Sequence, residues 1–183
     1  MIEKIKGFLQ KHDGQWQKIA IIALAFITVV SVIITVVVVN GSSPVLAPDF
    51  APIDVDENAE VLSDSDTEKM EHEEGGAAVS LTYSNEVKIS LDKKEAYLLF
   101  QNPAKSTQDM VLQIVVTSGD KEVVIAQSDK LPPGYMLRTM KLLDTAKLSA
   151  GGYNGRFNVL FYDPDNGERA IVNTNIPITI TVK

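Results

Sequence analysis

Catalysis near neutral pH needs a nucleophile with a base beside it, a tuned carboxylate pair, or a caged metal. This chain carries no cysteine and two histidines, His12 and His72. The missing cysteine excludes thiolate catalysis, disulfides, Cys-based zinc or iron–sulfur sites and an acylated lipoprotein anchor. From residue 77 onward there is no histidine, so the usual nucleophile–base pairings are unavailable there. Ser90-Leu91-Asp92-Lys93 matches the S-x-x-K spacing, yet it crosses a strand end and lacks the partner motifs. His72 lies among Glu71, Glu73 and Glu74, where nothing in so polar a run fixes a coordination geometry, and loose cation association is the most expected.

Asp163-Pro164-Asp165-Asn166-Gly167-Glu168 resembles the start of a calcium loop. Its sixth and twelfth positions hold Glu168 and Thr174, where an EF-hand places Gly and Glu. A hairpin turned by Pro and Asn-Gly is the simpler reading, and a weak calcium site at a loop tip the other. The remaining acids fall mostly in turns, where solvated charge is expected; carboxylate-driven hydrolysis of wall polymers is a minor hypothesis. The expectation is a non-enzymatic protein with no catalytic residues, metal, cofactor or small-molecule substrate.

Charge divides the chain into three zones. Residues 1–18 are net +2, residues 40–76 net −10, and residues 77–183 net +1. A nearly neutral C-terminal zone argues against nucleic acid as a partner, because phosphate binding needs concentrated positive charge. Between the first two zones, Ile19 to Val39 is an uncharged apolar run of 21 residues. As a helix it spans about 31 Å, the thickness of a hydrocarbon core. β-Branched Val and Ile are tolerated because lipid forces every backbone group to pair within the helix. The lysines precede the run, which places the N-terminus in the cytoplasm and the C-terminal zone outside the plasma membrane, with Trp16 at the interface. A cleaved signal peptide would carry an apolar region of about 7–15 residues, so an uncleaved anchor in contact with the lipid bilayer is expected.

Thr28, Ser31 and Thr35 fall on one face of that helix. They form either a contact stripe for another membrane helix or hydroxyls bonded to their own i−4 carbonyls. Residues 1–18 read as a basic amphipathic segment on the inner leaflet, with Ile2, Ile5 and Leu9 on one face. Residues 40–76, acidic and with three prolines, read as a disordered tether. Asn40-Gly41-Ser42 has the letters of a glycosylation sequon but abuts the bilayer.

From residue 77 the apolar pattern turns to period two. Strands are expected at 79–83, 86–91, 95–101, 110–118, 122–127, 135–143, 155–162 and 170–183, giving an all-β, antiparallel β-sandwich. Ser118-Gly119-Asp120-Lys121 reads as a tight hairpin, and Leu131-Pro132-Pro133-Gly134 as a stiff crossover between sheets. Met136–Leu143 alternates poorly, which suggests a bulge or an edge position. Leu148-Ser149-Ala150-Gly151-Gly152-Tyr153 precedes a strong strand, and Tyr153 sits where its hydroxyl can bond back to upstream backbone as a tyrosine corner. The pattern L-P-P-G-Y…L-S-A-G-G-Y-N-G-R-F-N-V-L-F-Y-D, closing on I-P-I-T-I-T-V, resembles the C-terminal half of bacterial immunoglobulin-like ectodomains over about residues 95–183. The cysteine pair and core Trp of antibody-type domains are missing. The resemblance implies an immunoglobulin-like sandwich displayed by a single-pass anchor in the cell envelope, as in Gram-positive bacteria, and no active site. The expected function is binding or adhesion to a protein or wall partner; the alternative is an accessory subunit of a membrane-embedded secretion, conjugation or pilus machine.

Overall fold

The structure, a computed structural model, describes Leu24, Thr28 and residues 46–63, 68–73, 76–118, 121–144 and 146–183. Leu24 and Thr28 are helical. The anchor expected at 19–39 otherwise lies outside the described residues, as does the expected basic amphipathic segment 1–18. Among the described residues no helix is long and apolar enough to cross a membrane. From Pro44 the chain forms one compact unit.

That unit is all-β. Its strands are β1 (Ala59–Val61), β2 (Thr82–Tyr83), β3 (Glu86–Ser90), β4 (Glu95–Asn102), β5 (Asp109–Ser118), β6 (Lys121–Gln127), β7 (Tyr135–Lys141), β8 (Gly151–Tyr162) and β9 (Arg169–Val182). They form one hydrogen-bonded path, β1-β7-β4-β3-β9-β8-β5-β6, with β2 pairing β4 beside it. The path curls into two layers. β6 meets the end of β7 at the bridge Ala126–Leu142, and Leu143 N–H donates to the Ile125 carbonyl at 2.8 Å. On the other side β3 joins the layers, antiparallel to β4 and parallel to β9.

Alternation explains the layers. Ile176, Ile178, Ile180 and Val182 turn inward from β9, Leu112, Ile114 and Val116 from β5, and Ala96, Leu98 and Phe100 from β4. All join one core. Phe100 and Phe157 meet across it edge to face, with ring centroids 5.7 Å apart. The strand order is that of an immunoglobulin sandwich: β3, β4 and β7 follow one another in one sheet, and β9, β8, β5 and β6 in the other. No strand forms between β6 and β7, where that fold can place an edge strand.

Two turns behave as their residues dictate. The pair Ser118–Lys121 leaves two residues for the β5–β6 turn. At Pro132-Pro133-Gly134 the chain crosses between layers, and Gly134 takes φ +89°, a conformation open to a residue without Cβ. The irregularity expected in Met136–Leu143 is a register shift between β4 and β7, between Tyr97 and Phe100. It lets Leu137 and Met140, of opposite parity, both be buried.

The expected tether over 40–76 and the boundary at 77 need correction. β1 pairs antiparallel with β7, Ala59 opposite Leu137 and Val61 opposite Tyr135. Upstream, Ala51 N–H donates to the Gly167 carbonyl at 2.8 Å, and Ala47 and Ala51 cover the outward-facing Val111, Leu160 and Tyr162. Downstream, Lys69 Nζ donates to the Ala104 and Ser106 carbonyls at 2.9 and 2.8 Å. Backbone groups on an open strand edge and a small outer apolar cluster supply partners that the polar composition of this stretch does not reveal.

β8 begins at Gly151, four residues before the expected start. Gly155 lies against β5, and a Cβ there would come 2.5 Å from the Val115 carbonyl oxygen and 2.7 Å from Ile180 Cδ1. The obstacle is paired backbone, which cannot rotate aside. Gly155→Ala is therefore expected to destabilise the domain by about 1–3 kcal/mol, read as a lower denaturant midpoint with an unchanged slope.

Candidate functional site

The residues singled out for chemistry stay apart. Lys93 Nζ lies 5.9 Å from the centroid of the Tyr97 ring, and among the described residues no hydrogen bond joins it to Ser90. His72 Nδ1 lies 3.1 Å from the Glu73 carbonyl. The Asp163–Glu168 segment is a hairpin connection. Gly167 N–H donates to the Asp163 carbonyl at 2.8 Å, Asp163 Oδ1 accepts from the Asp165 N–H, and Asn166 Oδ1 accepts from the Glu168 N–H. Two of its side-chain oxygens are thus spent on its own backbone. Among the described residues no group of three or more His, Asp or Glu gathers as a metal site.

Tyr153 stands at the start of β8. Its hydroxyl donates to the Ser149 carbonyl at 2.9 Å and accepts from the Ser149 N–H at 3.2 Å, which folds the corner leading into the strand. Thr28 donates to the Leu24 carbonyl four residues back at 2.9 Å. Ser31 and Thr35 lie outside the described residues.

One acid is unusually placed. Asp109 opens β5 opposite Tyr162 and is buried. Burial raises its pKa, Lys130 and Lys69 pull it down less strongly, and Asp163 adds to the rise. The neighbouring Tyr162 hydroxyl donates to the Pro48 carbonyl at 2.9 Å, and burial raises its pKa too. The Tyr162 hydroxyl thus clamps the upstream segment onto the β5–β8 face.

The candidate surface is a strand edge that the sequence pattern did not reveal. On β9, Thr179 N–H donates to the Asn85 carbonyl and Lys183 N–H to the Ile89 carbonyl, while Arg169 N–H donates to the Asp49 carbonyl. Odd-numbered residues therefore turn their backbone groups away from β8. In the regular register Asn173 and Asn175 turn the same way, and no strand among the described residues pairs with them; Ile171 lies where the β8–β9 register shifts, between the pairs Asn173–Leu160 and Arg169–Tyr162. Pro177 then offers no N–H. Ile171 is fully exposed and Val172 is 71% exposed, both in the stretch where the β8–β9 register shifts. Phe50, 62% exposed, lines a shallow open cleft of about 400 Å³ with Asp49, Glu168, Arg169, Ala170 and Ile171. Ala170 to Val182 contains no charge. Natural sheets usually blunt such an edge with lysine, proline or a covering segment.

No protein-family model and no curated protein matches the chain. Among solved structures it is similar to murine CRIg, at 14% identity and TM-score 0.35 over 58% of this chain and 98% of that one. It is also similar to the CsuC–CsuE chaperone–tip adhesion subunit pre-assembly complex of Acinetobacter baumannii, at 18% identity and TM-score 0.34 over 58% of each chain. A third is AggA, the major subunit of aggregative adherence fimbriae type I of Escherichia coli, at 12% identity and TM-score 0.31 over 59% of this chain and 96% of that one.

The environment of Asp109 sets a pH dependence. Its folded-state carboxyl holds its proton more tightly than the unfolded chain's does, so this group favours folding most below the ordinary carboxylate range and loses that advantage as pH rises through its raised pKa. Asp109→Asn is expected to raise stability over the native chain at neutral pH and to differ little from it in acid. Urea melts across that pH range would show it; a variant less stable at neutral pH would contradict it.

Proposed function

We propose that the chain is a non-enzymatic cell-envelope protein, anchored by residues 19–39, that displays its β-sandwich outside the plasma membrane to bind a protein or wall partner. The observation that carries the binding role is the unpaired, uncharged β9 edge from Ile171 to Asn175 beside the exposed Phe50. An extended partner segment adding to such an edge gains main-chain hydrogen bonds, and side chains at alternate positions supply selectivity. Ile171, Val172 and Phe50 provide apolar anchors, flanked by Arg169 and Arg156, whose guanidinium groups donate to the Asn173 and Asn175 side chains. The location is supported by the apolar run and the lysines before it.

Two measurements on the full chain separate the parts of this reading. The chain has no native cysteine, so Lys88→Cys provides a single label site on β3. A membrane-impermeant maleimide is expected to label it in intact cells; labelling only after lysis overturns the location. For binding, Asn173→Pro, which removes a backbone donor from the edge, is expected to abolish capture of the partner that the native chain enriches from cells. Equal enrichment by both chains, or no enrichment by the native chain, overturns the binding role.

A further inference from the structure

The β9 edge is open because the strand beside it changes sheets. β3 runs parallel to β9, with Glu86 opposite Thr179. Carried upstream in the same register, the chain would set Thr82 opposite Asn175 and close the edge. β2 instead pairs with β4, Thr82 opposite Gln101 and Tyr83 opposite Phe100. What remains is a notch bounded by the chain itself. At one end Arg169 N–H donates to the Asp49 carbonyl at 3.1 Å and Ala51 N–H to the Gly167 carbonyl at 2.8 Å. At the other, beyond Pro177, Thr179 N–H donates to the Asn85 carbonyl at 2.8 Å. The free stretch from Ile171 to Pro177 measures about 20 Å at the rise of a strand.

Length and charge select the occupant. A notch this short admits about five to seven extended residues. A second copy pairing β9 with β9 would bring a 14-residue strand into it, and its ends would run into residues 49–51 or Asn85. A polysaccharide lacks regularly spaced N–H and C=O groups to meet those of Asn173 and Asn175. The two ends differ in charge. Near Pro177, Arg156 is matched by Glu122. At the other end the Arg169 guanidinium donates to the Ala47 carbonyl at 3.1 Å and to Asn173 Oδ1 at 3.4 Å. The exposed Asp49 and Glu168 line the cleft beside Phe50 and Ile171, and their carboxylates have no ion pair among the described residues. Asp163 and Asp165 add negative charge in the adjoining hairpin, which carries no lysine or arginine before Arg169.

We infer that the β9 notch takes a short extended polypeptide segment with apolar side chains at alternate positions and a basic residue at the Asp49–Glu168 end. The segment completes the ladder at Asn173 and Asn175, lays its apolar side chains against Ile171, Val172 and Phe50, and sets its cation beside the two unmatched carboxylates. This rests on the binding role proposed for the edge and narrows it from a protein or wall partner to a peptide of stated length and charge.

Two fluorescent peptides test this against the full-length chain in detergent. Both share a core of about six residues, alternating valine and threonine; one core is flanked by lysines and the other by glutamates. Anisotropy is expected to show the lysine-flanked peptide binding about tenfold more tightly at low salt, with the gap narrowing as salt rises. Asp49→Lys combined with Glu168→Lys, at two exposed positions, should reverse the preference, and Asn173→Pro should abolish binding of both peptides. Equal affinity for the two peptides, no binding of either, or a preference untouched by the charge reversal overturns the inference. So does lysine-peptide binding that survives Asn173→Pro, the result of nonspecific attraction to the acidic stretch 40–76. A chain that loses its cellular partner through Asn173→Pro, yet shows no preference between the peptides, keeps its binding role and loses this inference.

Discussion

Phe100 and Phe157 meet edge to face in the middle of the domain, and the rest of the architecture follows from keeping that contact dry. Such an aromatic pair adds about 0.5–1.5 kcal/mol beyond the area it buries. It requires two layers whose inward positions alternate, because only alternate residues of a strand face the same side. With no disulfide to hold the layers, closure relies on backbone pairing at the margins: β3 joins β4 to β9, and the β6–β7 bridge closes the opposite side. Gly155 belongs to the same economy of space, since β8 approaches β5 more closely than a Cβ allows.

Closure leaves strand margins with different fates. β7 is covered by β1 from far upstream, with charges of opposite sign across the seam. The C-terminal half of β9 is covered by β3. The stretch of β9 from Ile171 to Asn175 carries no charge, and no strand among the described residues covers it. The domain thus couples a well-closed interior to an open apolar margin. This division of labour is compatible with binding, because the exposed groups add nothing to holding the two layers together.

Much of the sandwich was readable in the sequence because burial writes itself as alternation. Ile176 to Val182, Phe157 to Phe161 and Leu112 to Val116 announce their strands, and Tyr153 announces its corner by position. Even the poor alternation around Arg138 and Met140 corresponds to a real register shift. β1 was not readable. Asn58-Ala59-Glu60-Val61 sits in an acid-rich stretch with little apolar content, and its extended form is imposed by the edge of β7 rather than by any local preference. The start of β8 was hidden similarly, since Gly-Gly-Tyr-Asn-Gly has the composition of a turn. The open β9 margin was invisible for another reason. Ile171 and Val172 look like further apolar strand residues, and only the pairing with β8 shows that the register shifts there and leaves both exposed.

The pairing of β1 with β7 has a temporal side. Ribosomes deliver residues 59–61 long before residues 135–137, so the first strand of the domain emerges without the neighbour it will join. β3 waits longer still, because its parallel partner is the stretch from Thr179 to Val182. Contacts this distant along the chain are intrinsically slow to form. The nascent domain must therefore complete nearly its whole length before either margin can be sealed, and its early strands spend that interval with unpaired backbone groups available to water, to chaperones or to neighbouring nascent chains.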